Sequence, residues 1–186
     1  MRIRRRRTRL VLLVAALVIV ILARVGYDWL VREDSAPLTA GPCEVVRVVD
    51  GDTIIVRQQS QPPDPPRVRE ARVRLLGIDT PETVKPNSPV EPWGPEATEF
   101  TKRLTAEGNV RLELDKRRID RYGRSLAYVY VGDRLLNEEL VRAGLARVSV
   151  YPGDSATIER RLRAAEAEAR EAERGIWSKV EVATSE

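Results

Sequence analysis

Five short runs of β-forming residues, with one helix-forming segment between the third and the fourth, constrain this chain more than any other feature. Glu44 to Asp50 is β-branched and apolar, Asp50-Gly51 is a turn signal, and Thr53 to Arg57 resumes the pattern. That predicts a hairpin. Arg69 to Ile78 predicts a third strand, with Val73 and Leu75 on one face and Arg74 and Leu76 on the other. Gly94-Pro95-Glu96 opens a helix, with proline at its first position and an acid in its first turn. Its expected buried stripe is Ala97, Phe100 and Leu104, and Gly108 ends it. Val110 to Leu114 and Ser125 to Val131 are two further strands around a charged loop.

Asn137 reads as the N-cap of a short helix carrying Leu140 and Val141, closed by Gly144. The last helix is expected from about Ala156 to Arg174, with Ile158, Leu162, Ala165, Ala169 and Ala172 at helical spacing. Ile176 and Trp177 are expected to dock its end on the core. The order β-β-β-α-β-β-α-α predicts an α+β protein. Its arrangement is that of the OB-fold, a five-stranded Greek-key β-barrel, here with three helices.

The amino terminus stands apart from this pattern. Arg2, Arg4, Arg5, Arg6, Arg7 and Arg9 precede an unbroken apolar run, Leu10 to Ala23. A basic start followed by an apolar stretch is a signal peptide or an uncleaved signal anchor. The run is 14 residues long, whereas a spanning helix usually needs about 20. Extension to Val31 would carry Arg24 and Asp28 to the far interface. In either form the positive-inside rule places the rest of the chain outside the cytoplasm, membrane-anchored or secreted. The expected organisation is thus a signal or anchor segment over 1–31, a Pro/Gly-punctuated linker over 32–43, the folded domain over 44–178, and a flexible tail over 179–186.

Charge must be read by region. The whole chain carries +4, but its first 34 residues hold eight arginines against three carboxylates, so the remainder stands at −1. Attraction for a polyanion must therefore come from local clusters. The chain has no histidine and one cysteine, Cys43. Histidine bases, histidine-ligated metals, Ser-His-Asp triads, an internal disulfide and a cysteine-rich zinc site are excluded. Acid–base or metal chemistry must run on carboxylates, tyrosine, lysine or arginine.

Four groups could supply it. The hairpin turn Asp50-Gly51-Asp52-Thr53 needs one aspartate for turn geometry, which leaves Asp52 over. Asp79-Thr80-Pro81-Glu82 sets two carboxylates at a strand end fixed by Pro81. Arg74 lies just upstream. The basic loop Lys116 to Arg124 sets Tyr122 among arginines, a combination suited to base stacking with phosphate contact. Each has an ordinary explanation as turn, solvated loop or surface ion pair. Their joint occurrence on an OB-type element order points to a phosphate-handling site.

These motifs carry a family resemblance. Val48-Val49-Asp50-Gly51-Asp52-Thr53, Arg74 to Glu82, Asp120-Arg121-Tyr122-Gly123-Arg124-Ser125-Leu126-Ala127-Tyr128 and Asn137 to Ala146 resemble the staphylococcal nuclease family, over about Glu44 to Trp177. The resemblance implies a calcium-dependent phosphodiesterase of DNA and RNA that prefers single strands and leaves 3′-phosphate ends. On that resemblance Asp52 and Asp79 match metal-binding aspartates, with the Thr80 carbonyl as a further ligand. Calcium favours such oxygen donors. Glu82 matches the carboxylate that serves as general base or orients the attacking water. Arg74 and Arg124 match the arginines that clamp the scissile phosphate, and a planar guanidinium grips two phosphate oxygens at once.

Arg121, Tyr122 and Tyr151 are the expected nucleic-acid contacts. The family often shows two tyrosines flanking one residue where Ser149-Val150-Tyr151-Pro152 offers Tyr151 alone, and the loop Gln58–Arg69 is longer than the family pattern. The expected partners are single-stranded DNA or RNA and, if the N-terminal segment is retained, the membrane. A monomer is expected. Two other readings stand beside the enzyme: an OB-type module that binds nucleic acid at the cell surface without cutting it, and a tethered structural domain that binds none.

Overall fold

Residues 38–60, 68–83 and 89–178 are described by the computed structural model. The N-terminal apolar segment, the proline-rich centre of the 58–69 loop and the 179–186 tail lie outside them. Among the described residues no helix is long and apolar enough to cross a membrane.

Among the described residues the domain already includes Leu38, N-terminal of the expected Glu44. Leu38 is buried, and β1 (Gly41–Pro42) pairs with β6 (Val110–Glu113). The buried Gln58 amide fastens this segment, donating to the Thr39 and Pro42 carbonyls and accepting from the Thr39 N–H at 3.0 Å. After Cys43 the same stretch continues as β2 (Glu44–Asp50), antiparallel to β3 (Thr53–Gln59). One length of chain therefore touches both β6 and β3.

The sheet runs β1-β6-β7-β4-β3-β2, where β4 is Val68–Leu75 and β7 is Ser125–Val131. The expected loop Gln58–Arg69 is shorter at both ends, because Gln58 pairs with Arg69 and Gln59 with Val68. The β4–β7 pair is parallel and sets Arg74 opposite Leu126. Arg124, just before β7, is thereby delivered beside β4. All seven residues of β7 are buried, as expected of a central strand.

The third strand is not continuous to Ile78. It stops at Leu75, and Gly77 turns the chain with φ +76°. Any larger residue there would hold an unfavourable left-handed backbone, and its Cβ would approach Leu162 Cδ1 to 2.8 Å. Ile78–Asp79 is a separate strand, β5, paired with β9 (Arg147–Val148) in a second two-stranded sheet. Asp79 thus gains its place from β9, not from β4. The short strand β8 (Arg134–Leu135) borders β7.

Three helices pack on these strands. Helix α1 (Gly94–Thr105) buries Ala97, Thr101 and Leu104, with Phe100 half-buried. Helix α3 (Ala156–Glu171) buries Ile158, Leu162, Ala165 and Ala169, whereas Ala172 is exposed beyond its end. The Ser155 hydroxyl caps α3 by accepting from the Ile158 N–H. A single 3-10 turn, Gly175–Trp177, docks through the Ile176 N–H on the Gly144 carbonyl at 2.8 Å.

Asn137 departs from its expected role. It lies within α2 (Leu136–Arg142), is fully buried, and caps nothing. Its Oδ1 accepts the Val129 N–H at 3.0 Å and its Nδ2 donates to the Leu76 carbonyl at 2.7 Å. This side chain ties the centre of β7 to the turn that ends β4. Replacing Asn137 with alanine strands two buried backbone groups and is expected to lower stability by about 3 kcal/mol. Urea denaturation measures it; a loss under about 1 kcal/mol would show that the two bonds do not hold the turn.

Candidate active site

The turn Asp50-Gly51-Asp52 closes the β2–β3 hairpin beneath α1. Gly51 is required there by close approach, since a Cβ would stand 2.7 Å from Ala97 Cβ and 2.8 Å from Thr80 Oγ1. The Thr101 hydroxyl donates to the Gly51 carbonyl at 2.6 Å, which fixes the turn to the helix. Asp52 is 1% exposed. Its Oδ1 accepts from the Thr53 hydroxyl at 3.1 Å and from Arg74 Nη1, and its Oδ2 accepts the Thr80 N–H at 2.9 Å.

Arg74 reaches the site from β4. Besides Asp52 it binds Asp79 Oδ1 and donates to the Ile78 carbonyl at 3.1 Å. One guanidinium thus bridges the two aspartates, and Asp52 and Asp79 meet at a common cation although they are 27 residues apart in the chain. Asp52, Arg74, Asp79, Thr80, Glu82 and Arg124 all line a single cavity of about 160 Å³, together with Asp50 and Pro81.

The hairpin turn accounts for Asp50 by local geometry alone, yet it also lines this cavity. Burial pushes its carboxyl up, and the Glu82 charge adds to that, against the Thr53 hydroxyl and the arginines 74 and 124.

Arg124 is placed by its own loop. Asp120 Oδ2 accepts from Arg124 Nε at 2.7 Å, while its Oδ1 accepts the Tyr122 and Arg124 N–H groups at 2.8 and 2.9 Å. Gly123 supplies the φ of +78° that folds the loop back. Burial disfavours the Asp120 carboxylate, but these hydrogen bonds and the Arg124 charge outweigh it and hold its pKa below the ordinary value. The loop therefore gains stability that is present above about pH 4 and is lost as pH falls through the lowered pKa of Asp120.

Arg121, Tyr122 and Tyr151 do not line the small cavity. They line an adjoining one of about 460 Å³, which shares Arg74, Asp79 and Arg124 with it. Tyr122 and Tyr151 are both more than half exposed. The Tyr122 hydroxyl accepts from Arg121 Nη2 at 2.6 Å. Arg117, not singled out from sequence, stacks on Tyr151 at 4.2 Å and is paired at 3.3 Å with Asp154, which also accepts the Tyr151 N–H.

The small cavity is lined by four carboxylates and two guanidinium groups, with oxygen donors and no nitrogen or sulfur ligand. That donor set suits a hard divalent cation. Among the described residues no three acidic side chains close on one point, because the Arg74 guanidinium stands between Asp52 and Asp79. Positive charge already occupies the position between those aspartates.

The staphylococcal nuclease homologue family model matches residues 72–179, more than half of the chain. A thermonuclease of Staphylococcus hyicus is 45% identical over 135 residues, covering 73% of this chain and 75% of that protein. A thermonuclease of Staphylococcus intermedius is 40% identical over 173 residues, 92% of this chain and 97% of its own. Endonuclease YncB of Bacillus subtilis is 44% identical over 135 residues, 72% of this chain and 60% of that protein.

The two ion pairs of Arg74 differ in worth. Asp52 is buried and Asp79 has a side chain 63% exposed. Arg74→Gln leaves the Asp52 charge without its cation and is expected to cost about 3 kcal/mol, whereas Asp79→Asn is expected to cost less than about 1 kcal/mol. Denaturant titration of both variants checks this. Equal losses would show that burial does not rank the two pairs.

Proposed function

The chain belongs to the staphylococcal nuclease family and is a hydrolase of phosphodiester bonds; on that premise we propose that it is a calcium-dependent nuclease. It cuts DNA and RNA, single strands before duplexes, and leaves 3′-phosphate ends. The observation that carries this reading is the meeting of Asp52, Arg74, Asp79, Glu82 and Arg124, from five places in the sequence, around one cavity. The same cavity favours cutting over binding alone, because a module that merely holds strands has no use for carboxylates at a phosphate site.

Asp52, Asp79 and the Thr80 carbonyl would hold the calcium ion, which supplies fixed positive charge to a phosphate oxygen when bound. Arg74 and Arg124 grip the remaining oxygens and oppose the charge that builds on them as the phosphorus is attacked. For Arg74 this means giving up its exposed partner Asp79 for the phosphate while keeping buried Asp52. Glu82, at the edge of the cavity, takes the proton of the attacking water or orients that water toward phosphorus. The oxygen–phosphorus bond of the leaving sugar then breaks. Tyr122, Arg121 and Tyr151 hold a nucleoside in the adjoining cavity, whose 460 Å³ is ample for one.

The sheet is read here as an OB-type barrel, supported by the pairing of Gly41–Asp50 with both β6 and β3. We further propose that the arginine-led apolar run, Leu10 to Ala23, carries the enzyme out of the cytoplasm, as an anchor or a cleaved signal. Millimolar calcium outside cells suits a low-affinity site.

The test is cleavage of single-stranded DNA by the full chain with calcium and then with a chelator. Cleavage is expected with calcium and lost on chelation; cutting that continues under chelation overturns the metal requirement. Glu82→Gln is expected to lower kcat by about 10²–10⁴-fold and Arg124→Gln by about 10²–10³-fold. Variants that bind more weakly but turn over at the parent rate would remove both residues from the chemistry.

A further inference from the structure

A third cavity, of about 320 Å³, adjoins the small one on another side, sharing Asp79, Thr80 and Pro81 with it. With the Tyr122 cavity it shares Asp79 alone. The cavity proposed for the phosphate is therefore flanked by two larger ones, separated from each other by the two-residue strand β5.

We infer that the third cavity is a second nucleotide subsite, in which Trp93 and Arg147 hold the nucleotide on the other side of the scissile phosphate. The inference rests on the nuclease reading of the central site. Strand pairing gives the first support: Arg147 is the direct cross-strand partner of Asp79, and paired residues present their side chains on one face. Arg147 therefore emerges beside a residue of the phosphate cavity. No carboxylate among the described residues pairs with it. Its guanidinium lies over the Trp177 ring at 4.6 Å, with Arg170 at 3.9 Å from the same ring. A cation so seated is pre-positioned, with its N–H groups available to a phosphate oxygen.

Trp93 gives the second. It is a half-exposed aromatic held at φ +71°, in the left-handed region that a bulky residue rarely adopts. Its ring packs in part against the core, which holds it in place, and the remainder lines the cavity. Strain of this kind persists where the surroundings fix it and is concentrated at ligand sites. An indole lining a cavity next to a phosphate site is a stacking surface for a base. The volume, about 320 Å³, meets the lower end of the range for small-ligand sites, roughly 300–1,000 Å³.

The test compares two substrates on the full chain with calcium. One is octathymidylate. The other is a thymidine methyl phosphodiester, in which a methyl group replaces the second nucleoside. Arg147→Gln and Trp93→Ala are expected to lower kcat/KM on octathymidylate about fivefold or more, chiefly through KM. On the methyl ester the loss is expected to be smaller. Arg147→Lys should recover part of the loss, and Arg147→Gln should flatten the salt dependence of oligonucleotide binding by about one charge. Arg147 is exposed, so its variants keep the test alive if Trp93→Ala does not fold, which thermal unfolding will show. Equal losses on both substrates, or none on either, would overturn the subsite. A parent chain that binds octathymidylate, and binds it more weakly as Arg147→Gln, yet cuts neither substrate would sink the nuclease reading and leave the subsite standing.

Discussion

The Arg74 guanidinium is the interaction on which this structure turns. It joins the hairpin turn through Asp52 to the β5 strand through Asp79, and it reaches the Ile78 carbonyl as well. Without it a buried carboxylate would face Asp79 and Glu82 across a cavity of about 160 Å³. Burying charge is costly unless it is paired and its remaining lone pairs are used. Asp52 meets both conditions, since Thr53 and the Thr80 N–H complete its shell. The same two bonds and the Leu75 N–H to Asp52 carbonyl bond make the turn, β4 and the Thr80 segment one unit. What holds the site together and what would act on a phosphate are therefore the same side chains.

How much of this was legible follows from the range over which each signal acts. Short-range chemistry was readable: the Asp50-Gly51 hairpin, proline at the start of α1, Gly144 with φ +72° after α2, and the apolar stripe of α3 as far as Ala169 stand as expected. What escaped depended on partners far away in sequence. Gly77 ends β4 because Leu162, from α3, leaves no room for a side chain. Asn137 reads as a cap by local rules, yet Val129 and Leu76 claim its amide first. Residues 38–42 read as linker by composition, and Gln58 recruits them into the fold.

The site shows the same division. Residue types together with the family resemblance singled out Asp52, Arg74, Asp79, Glu82 and Arg124, and all five line one cavity. Asp50 was hidden by having a sufficient local role in the turn. Arg117 and Asp154 were hidden because their pairing joins two loops, 37 residues apart in the chain. Asp120, which fixes Arg124 through three bonds, looked like one more charge in a basic run. For Arg124 and Tyr151 the motif named the residue that lines a cavity and was silent on the neighbour that holds it.

A chain without histidine has to make a reactive centre from groups whose charge does not change near neutrality, and this constrains its design. Apart from a proton transfer such as the one proposed for Glu82, these groups keep their charge and respond to a substrate by changing partners. Arg74 is the side chain placed to do so. Its bond to buried Asp52 is strong and its bond to exposed Asp79 is weak, because solvent screens the second and not the first. On the function proposed, a phosphate entering the cavity would compete first for the Asp79 side of the guanidinium. That would release the carboxylate which lies on β5, where all three cavities meet. The weaker pair is the one that a substrate can displace without loosening the hairpin, which stays fixed by Asp52, Thr80 and the Thr101 bond to Gly51.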